Sequence, residues 1–169
     1  MIRPILRYGA DALHAAAAPV DDFGTDLQKL IDDMVETMYA AAGVGLAAPQ
    51  VGVASRLFVT DTSFGRSIGD LLILVNPEIF EQEGTEREEE GCLSLPGFTA
   101  SVSRPARIVL TGFDREGTRV RLEGEGLRAR VFQHELDHLD GTLFVNRLHS
   151  IRRDLIFRRV RKLQRTGKW

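Results

Sequence analysis

Residues 134–138 read His-Glu-Leu-Asp-His, and the only cysteine of the chain lies upstream in Glu90-Gly91-Cys92-Leu93-Ser94. Residues four apart share one face of a helix. His134 and His138 can therefore aim two imidazoles at one ion, as in the His-Glu-x-x-His motif of metallohydrolases. Two histidines leave a catalytic centre one protein ligand short, and Cys92 is the natural third. Glu135, next to the first histidine, can reach a water on the ion. The residue types point to a metal-activated water.

Each of these residues has a plainer reading. The histidine pair can be a polar helix face, and a free cysteine is most often a small buried hydrophobe. The setting of Cys92 is glycine-bracketed and polar, which suits a turn or strand end better than a core. A nucleophilic cysteine with a histidine base would leave the paired histidines and Glu135 without a purpose. Two metalloprotease patterns lack their third ligand. A metzincin needs a third histidine, and Phe144 stands in its place in Leu139-Asp140-Gly141-Thr142-Leu143-Phe144. A thermolysin-like site needs a later glutamate, but beyond Gly141 there is none, and the only aspartate is Asp154.

Elements must hold these residues in place. Gly124 and Gly126 bound the start of a helix expected over 127–140, carrying both histidines and stopped at Gly141. Leu127 and Val131 precede His134 by seven and three residues, share its face, and can wall an apolar pocket beside the ion; core packing is the alternative for both. Thr25 with Gln28 reads as a capping box, opening an earlier helix with Leu27, Leu30, Ile31, Met34, Val35 and Met38 at helical spacing and Gly43 as its stop. Gly43-Val44-Gly45-Leu46-Ala47-Ala48-Pro49-Gln50 carries so little side-chain bulk that its backbone can approach another group closely. Val44 and Gly45 can then offer backbone hydrogen bonds to an extended peptide. Strands are expected at 56–60, 71–75, 101–104, 107–113 and 119–122, and another at 142–145. Residues 81–90, with six glutamates and one arginine, read as a solvated edge or loop. Within that run Glu90 is expected to pair with Arg104 and brace the Cys92 segment. A final helix spans 151–165. Strand runs with three separated helices indicate an α+β fold with antiparallel or mixed sheets around a central metal-binding helix, flanked by an N-terminal and a C-terminal helix.

The 169 residues, 43% hydrophobic and 27% charged, match one soluble catalytic domain spanning 1–169. One cysteine forms no internal disulfide, and neither a signal-peptide core nor a membrane span is present. A cytoplasmic protein is expected, with neither DNA nor a membrane as partner. The net charge of −2 hides an asymmetry. From Arg147 to Trp169 seven arginines and two lysines face one aspartate, a local +8 that leaves −10 on the remainder. A basic tail on an acidic body suits an anionic partner, although a solvated helix needs none.

Three segments, Gly43–Gln50, Glu90–Ser94 and Gln133–His138, closely resemble the three motifs of the peptide deformylases, in that family's order and at similar spacing. The resemblance runs from Arg3-Pro4-Ile5-Leu6 to Leu143-Phe144. It implies removal of the formyl group from the N-terminal formyl-methionine of new bacterial polypeptides. It further implies an ion held by Cys92, His134 and His138, Glu135 as general base and acid, and Gln50 with the Leu93 backbone N–H steadying the oxyanion. It implies Fe(II) in cells; the ligand set also accepts Zn(II), Ni(II) or Co(II). Similar bacterial enzymes are thought to dock on the ribosome, which would engage the basic helix. Gly97-Phe98-Thr99-Ala100 lacks a charged side chain that some relatives carry there. Two alternatives follow from the residues: a peptide-cleaving metalloprotease that needs no Cys92, and a catalytically silent ribosome-binding paralogue.

Overall fold

A computed structural model describes all residues, Met1–Trp169. The chain forms α1 (Thr25–Ala40), β1 (Gly45–Ala47), β2 (Leu57–Thr60), β3 (Leu72–Glu83), β4 (Glu86–Gly91), β5 (Thr99–Arg104), β6 (Arg107–Phe113), β7 (Arg119–Glu125), α2 (Gly126–Leu139) and α3 (Ser150–Arg165). Short 3-10 turns lie at Asp11–Leu13, Ala48–Val51 and Phe144–Arg147. The fold class is α+β. One sheet runs β1-β2-β3-β6-β7 and a second pairs β4 with β5; every ladder is antiparallel.

The larger sheet is apolar on both faces where helices cover it. In β2, Phe58 points with Leu74 of β3 toward Ala129, Phe132, Leu136 and Leu139 of α2. Its neighbours Leu57 and Val59 point the other way with Val75, toward Leu27, Leu30, Ile31, Met34 and Met38 of α1. Two-residue alternation along a strand makes this division, so β2 reads as an unbroken hydrophobic run. The ring centroids of Phe58 and Phe132 lie 6.1 Å apart and tie α2 to the sheet; burying one such ring contributes about 1.5–3 kcal/mol. A third cluster joins Leu95, Phe98 and Val102, beside the small sheet, to Leu143, Phe144, Val145 and Val160 of α3.

Several expected boundaries move. The α1 N-cap is Gly24, with no side-chain cap. Gln28 instead donates to the Phe23 carbonyl at 3.1 Å and the Arg115 carbonyl at 2.7 Å, because the β6–β7 turn packs there. The left-handed residue that ends α1 is Ala42, at φ 53°, and the Gly43 N–H closes the turn on the Met38 carbonyl at 2.9 Å. Residues 81–90 belong largely to strands: β3 continues to Glu83 and β4 pairs with β5 from Glu86↔Arg104 to Gly91↔Thr99. Glu88 and Glu89 are exposed on successive residues of a two-stranded sheet, so the segment is the solvated edge of that expectation and not the loop. Residues 142–145 are not a strand. The Thr142 N–H bonds the Asp137 carbonyl at 2.8 Å and the Leu143 N–H bonds Asn146 Oδ1 at 3.0 Å; the apolar side chains are buried by a turn.

Candidate active site and metal centre

Three elements meet at one point. β4 ends at Gly91, and Cys92 opens a tight turn closed by the Leu95 N–H on the Cys92 carbonyl at 2.9 Å. One helical turn separates His134 from His138 on the face of α2 turned toward it. The Ala48–Val51 turn brings up Gln50. The Cys92 Sγ and one ring nitrogen from each of His134 and His138 all lie within 4.8 Å of one another, with Cys92 Sγ and His138 Nε2 at 3.2 Å. Bonds of about 2.0–2.3 Å in a tetrahedral sphere place neighbouring donors roughly 3.3–3.8 Å apart. A thiol and two imidazoles so spaced fit a divalent ion. Phe144, at the position where a metzincin has its third histidine, stacks on His134 instead, with centroids 6.2 Å apart.

Ionised neighbours orient the ligands. His134 Nδ1–H donates to Glu90 Oε2 at 3.0 Å, which leaves Nε2 facing Cys92 and His138. Glu90 also accepts from Arg104 Nε, from Arg104 Nη2 at 2.9 Å and from Arg130 Nη1 at 2.8 Å. The expected Glu90–Arg104 pair is present, and both residues are buried. Burial alone would raise the Glu90 carboxyl; hydrogen bonds from Arg104 and His134 outweigh it and hold it at about 2. His138 is pushed well below the usual histidine range by burial and by the His134 charge, which keeps it in the neutral form a metal needs. His134 is drawn upward: burial opposes its charge, but the Cys92 sulfur and the Glu90 carboxylate overcome that. The potential around it suits a cation.

Glu135 is buried beside the ligands, and its Oε2 has no hydrogen-bond partner. Burial, with the Glu90 charge, pushes its carboxyl up to about 7. Its other oxygen packs against the backbone of Gly45, so closely that a Cβ there would overlap it and would sit 2.9 Å from Val131 Cγ1. A Cβ on Gly43 would meet Leu93 Cδ1 at 2.8 Å. These glycines permit the close approach that the low bulk of 43–50 suggested. Gln50 is held by its own carbonyl oxygen, which accepts the Ala47 N–H at 2.9 Å. Its amide nitrogen faces Ser94 Oγ at 3.1 Å and Cys92 Sγ at 3.8 Å. The Leu93 N–H is engaged by no backbone carbonyl.

These groups line one cleft of about 410 Å³ that includes Val44, Gly45, Gln50, Cys92, Leu93, Leu127, Val131, His134 and Glu135. His138 lies behind it. Leu127 is 55% exposed and on the cleft wall, so it is no core residue. The sequence reading missed Arg130, Asp137 and Arg147. Arg104 donates to Asp137 at 2.9 Å, and Arg147 clasps Asp137 with two bonds of 2.6 Å. Arg130 and Asp137 stand four before and three after His134, the available signal for a shared helix face.

A family described as Polypeptide deformylase matches residues 2–154. Peptide deformylase of Acidobacterium capsulatum is 47% identical over 169 residues, covering 100% of this chain and 99% of that one. That of Thermodesulfovibrio yellowstonii is 49% identical over 154 residues, covering 91% and 93%. The crystal structure of a peptide deformylase from Legionella pneumophila superposes with a TM-score of 0.92 at 42% identity, over 99% of this chain and 98% of that one. The Thermus thermophilus enzyme gives 0.87 at 45% identity, over 95% and 94%. The fold and the Cys/His/His cluster define a metal-dependent hydrolase. The chain belongs to the polypeptide deformylase family, which sets the protease alternative aside.

Proposed function

We propose that this protein removes the formyl group from the N-terminal formyl-methionine of newly synthesised polypeptides. The carrying observation is the convergence of Cys92, His134 and His138 within 4.8 Å in a cleft shared with Glu135 and Gln50. Cys92, His134 and His138 would hold the ion, Fe(II) in cells, with Zn(II), Ni(II) or Co(II) able to replace it. When bound, it supplies a Lewis acid and makes water ionisable near neutral pH.

The chain's own groups do the rest. Glu135 takes a proton as the formyl carbon is attacked and returns it to the leaving amine; its burial against Gly45 keeps bulk water from competing. The Gln50 amide and the Leu93 N–H donate to the developing oxyanion, and the Ala47–Gln50 bond keeps that amide aimed. β1 is an edge strand, so the Val44–Gly45 backbone can align the peptide by strand addition. Leu127 and Val131 wall a pocket for the unbranched methionine side chain. A formyl group carries hydrogen where an acetyl carries methyl, and a tight site rejects the methyl by overlap.

No helix is long and apolar enough to cross a membrane, and we place the protein in the cytoplasm. The exposed Arg152, Arg158, Arg159, Arg161, Lys162 and Arg165 of α3 would meet ribosomal RNA, an attraction that weakens with salt. Co-sedimentation with ribosomes at low and raised salt tests this. The main test is anaerobic purification, elemental analysis, and turnover of formyl-Met-Ala-Ser against its acetyl analogue. Formate release from the first alone is expected. No turnover by metal-loaded protein would favour the silent paralogue.

A further inference from the structure

We infer that Phe64 selects among peptides past the formyl-methionine, giving a bulky apolar side chain in the residues that follow an aromatic wall to pack against. The inference rests on the deformylase reading and adds a substrate preference to it. The cleft extends beyond Leu127 and Val131: Ala42, Gly43 and Phe64 line it too, and they are shared with an adjoining depression formed with Tyr39 and Gly65. A peptide laid along Val44–Gly45 and continuing past Gly43 runs into this part.

The depression around Phe64 is lined by no charged residue. The charged residues lining the cleft are Glu89, Glu90, Arg130 and Glu135. Glu90 is buried and gripped by Arg104 and Arg130, Glu135 is buried against Gly45, and Glu89 on β4 is the one exposed carboxylate of the lining. Gly97 and Phe98 occupy the rim on the Cys92 side without charge. The Arg66 guanidinium lies 5.7 Å from the Phe64 ring centroid and repels a lysine or arginine brought to the same ring.

Phe64 is also held where it stands. It is 46% exposed, although a phenyl ring at a loop tip gains nothing from water. Its φ of 55° lies in the left-handed region that bulky residues avoid. The buried Asp61 carboxylate imposes this by accepting from Ser63 N at 2.8 Å, Ser63 Oγ at 2.7 Å and Gly65 N at 3.0 Å, and from the Tyr39 hydroxyl at 2.6 Å. The clamp brackets residue 64 on both sides. A loop backbone fixed before binding carries the ring to the cleft wall without an ordering cost on binding.

The test is steady-state turnover of formyl-Met-Ala-Ser and of peptides with Phe, Leu or Lys at the second or third position, by wild type, Phe64→Ala and Phe64→Tyr. Wild type is expected to favour Phe and Leu over Ala at one of these positions by roughly three- to tenfold in kcat/KM, the scale of an aromatic contact, mainly through KM. Lys should fall below Ala. In Phe64→Ala the Phe-to-Ala ratio should approach one, and Phe64→Tyr should restore it. Equal ratios in wild type and Phe64→Ala, or no preference in wild type, overturn the inference while leaving the deformylase reading intact. If no formylated peptide is turned over, the deformylase reading fails and this inference with it.

Discussion

Glu90 Oε2 accepts the Nδ1–H of His134 at 3.0 Å, so a residue of β4 sets the direction of a ring on α2. The contact begins a chain of alternating charges. Glu90 is gripped by Arg104 and Arg130, Arg104 reaches Asp137, and Asp137 is clasped by Arg147 near the root of α3. The two strands of the small sheet and the histidine helix are joined through ions that are almost wholly buried. Removing one partner leaves a buried charge without compensation, which typically costs about 3–5 kcal/mol.

Arg104→Ala is therefore expected to loosen metal retention. An orienting partner of a ligating histidine is typically worth about 10–100-fold in metal affinity. Metal content after dialysis against chelator should drop well below wild type, and unchanged content would refute the role assigned to the pair.

Gly45→Ala adds one methyl group to a β1 residue that is not itself a metal ligand. That methyl overlaps the Glu135 carboxylate and sits 2.9 Å from Val131 Cγ1. Elemental analysis should find the ion retained, while kcat on formyl-Met-Ala-Ser falls by about 10² or more through misplacement of Glu135. Wild-type kcat in the variant would show that the close approach has no catalytic consequence.

Glu135→Gln keeps the shape and removes the proton acceptor. A loss of about 10²–10⁴ in kcat is expected, again with the metal in place. Gln50→Ala should cost about 10²–10³, a smaller or similar loss. A glutamine at 135 that retains most of the activity would move the proton-transfer role elsewhere.

Tyr39 and Asp61 make an alkaline prediction. Burial, reinforced by the Asp61 carboxylate, raises the Tyr39 phenol to about 12, from about 10 in an unfolded chain. A raised folded pKa means that the contribution to stability is complete below pH 10 and is lost as pH climbs from 10 toward 12. Tyr39→Phe should cost about 1 kcal/mol at neutral pH, the worth of the lost hydrogen bond. The gap in melting temperature between the two proteins should narrow above pH 10. A gap independent of pH from 8 to 11.5 would show that the phenol titrates normally.

Local patterns in the sequence were enough for the parts that depend on near neighbours. The i, i+4 spacing of His134 and His138 puts both on one helix face whatever surrounds it. The apolar runs of β2 and the start of β3, the β-rich stretches of β5 to β7 and the helical stripe from Leu27 to Met38 follow from the same short-range geometry. The resemblance carried by Gly43–Gln50, Glu90–Ser94 and Gln133–His138 named the family from those motifs alone. Local signals failed where the answer lay in a distant partner. Gln28 had the spacing of a capping box, but its side chain is claimed by the Arg115 carbonyl. Leu143, Phe144 and Val145 had the composition of a strand, but without a neighbouring strand to pair with they fold into a turn. The glutamates of 81–90 read equally as a solvated edge or a loop, because the ladder that makes 86–91 a strand pairs it with 99–104, beyond the reach of local pattern.

What the sequence determined by itself is the inventory of the site: one thiol, two imidazoles at helical spacing, a carboxylate beside them and glycines where backbone must come close. Tertiary structure decided the meeting. Cys92 reaches His138 across 46 residues, Gln50 reaches Ser94 across 44, and Arg104, Asp137 and Arg147 close a network no periodicity announces. Spacing along a chain reports only which residues share one element's face. Which faces then press together is set by the burial of three apolar clusters, a property of the whole packed molecule.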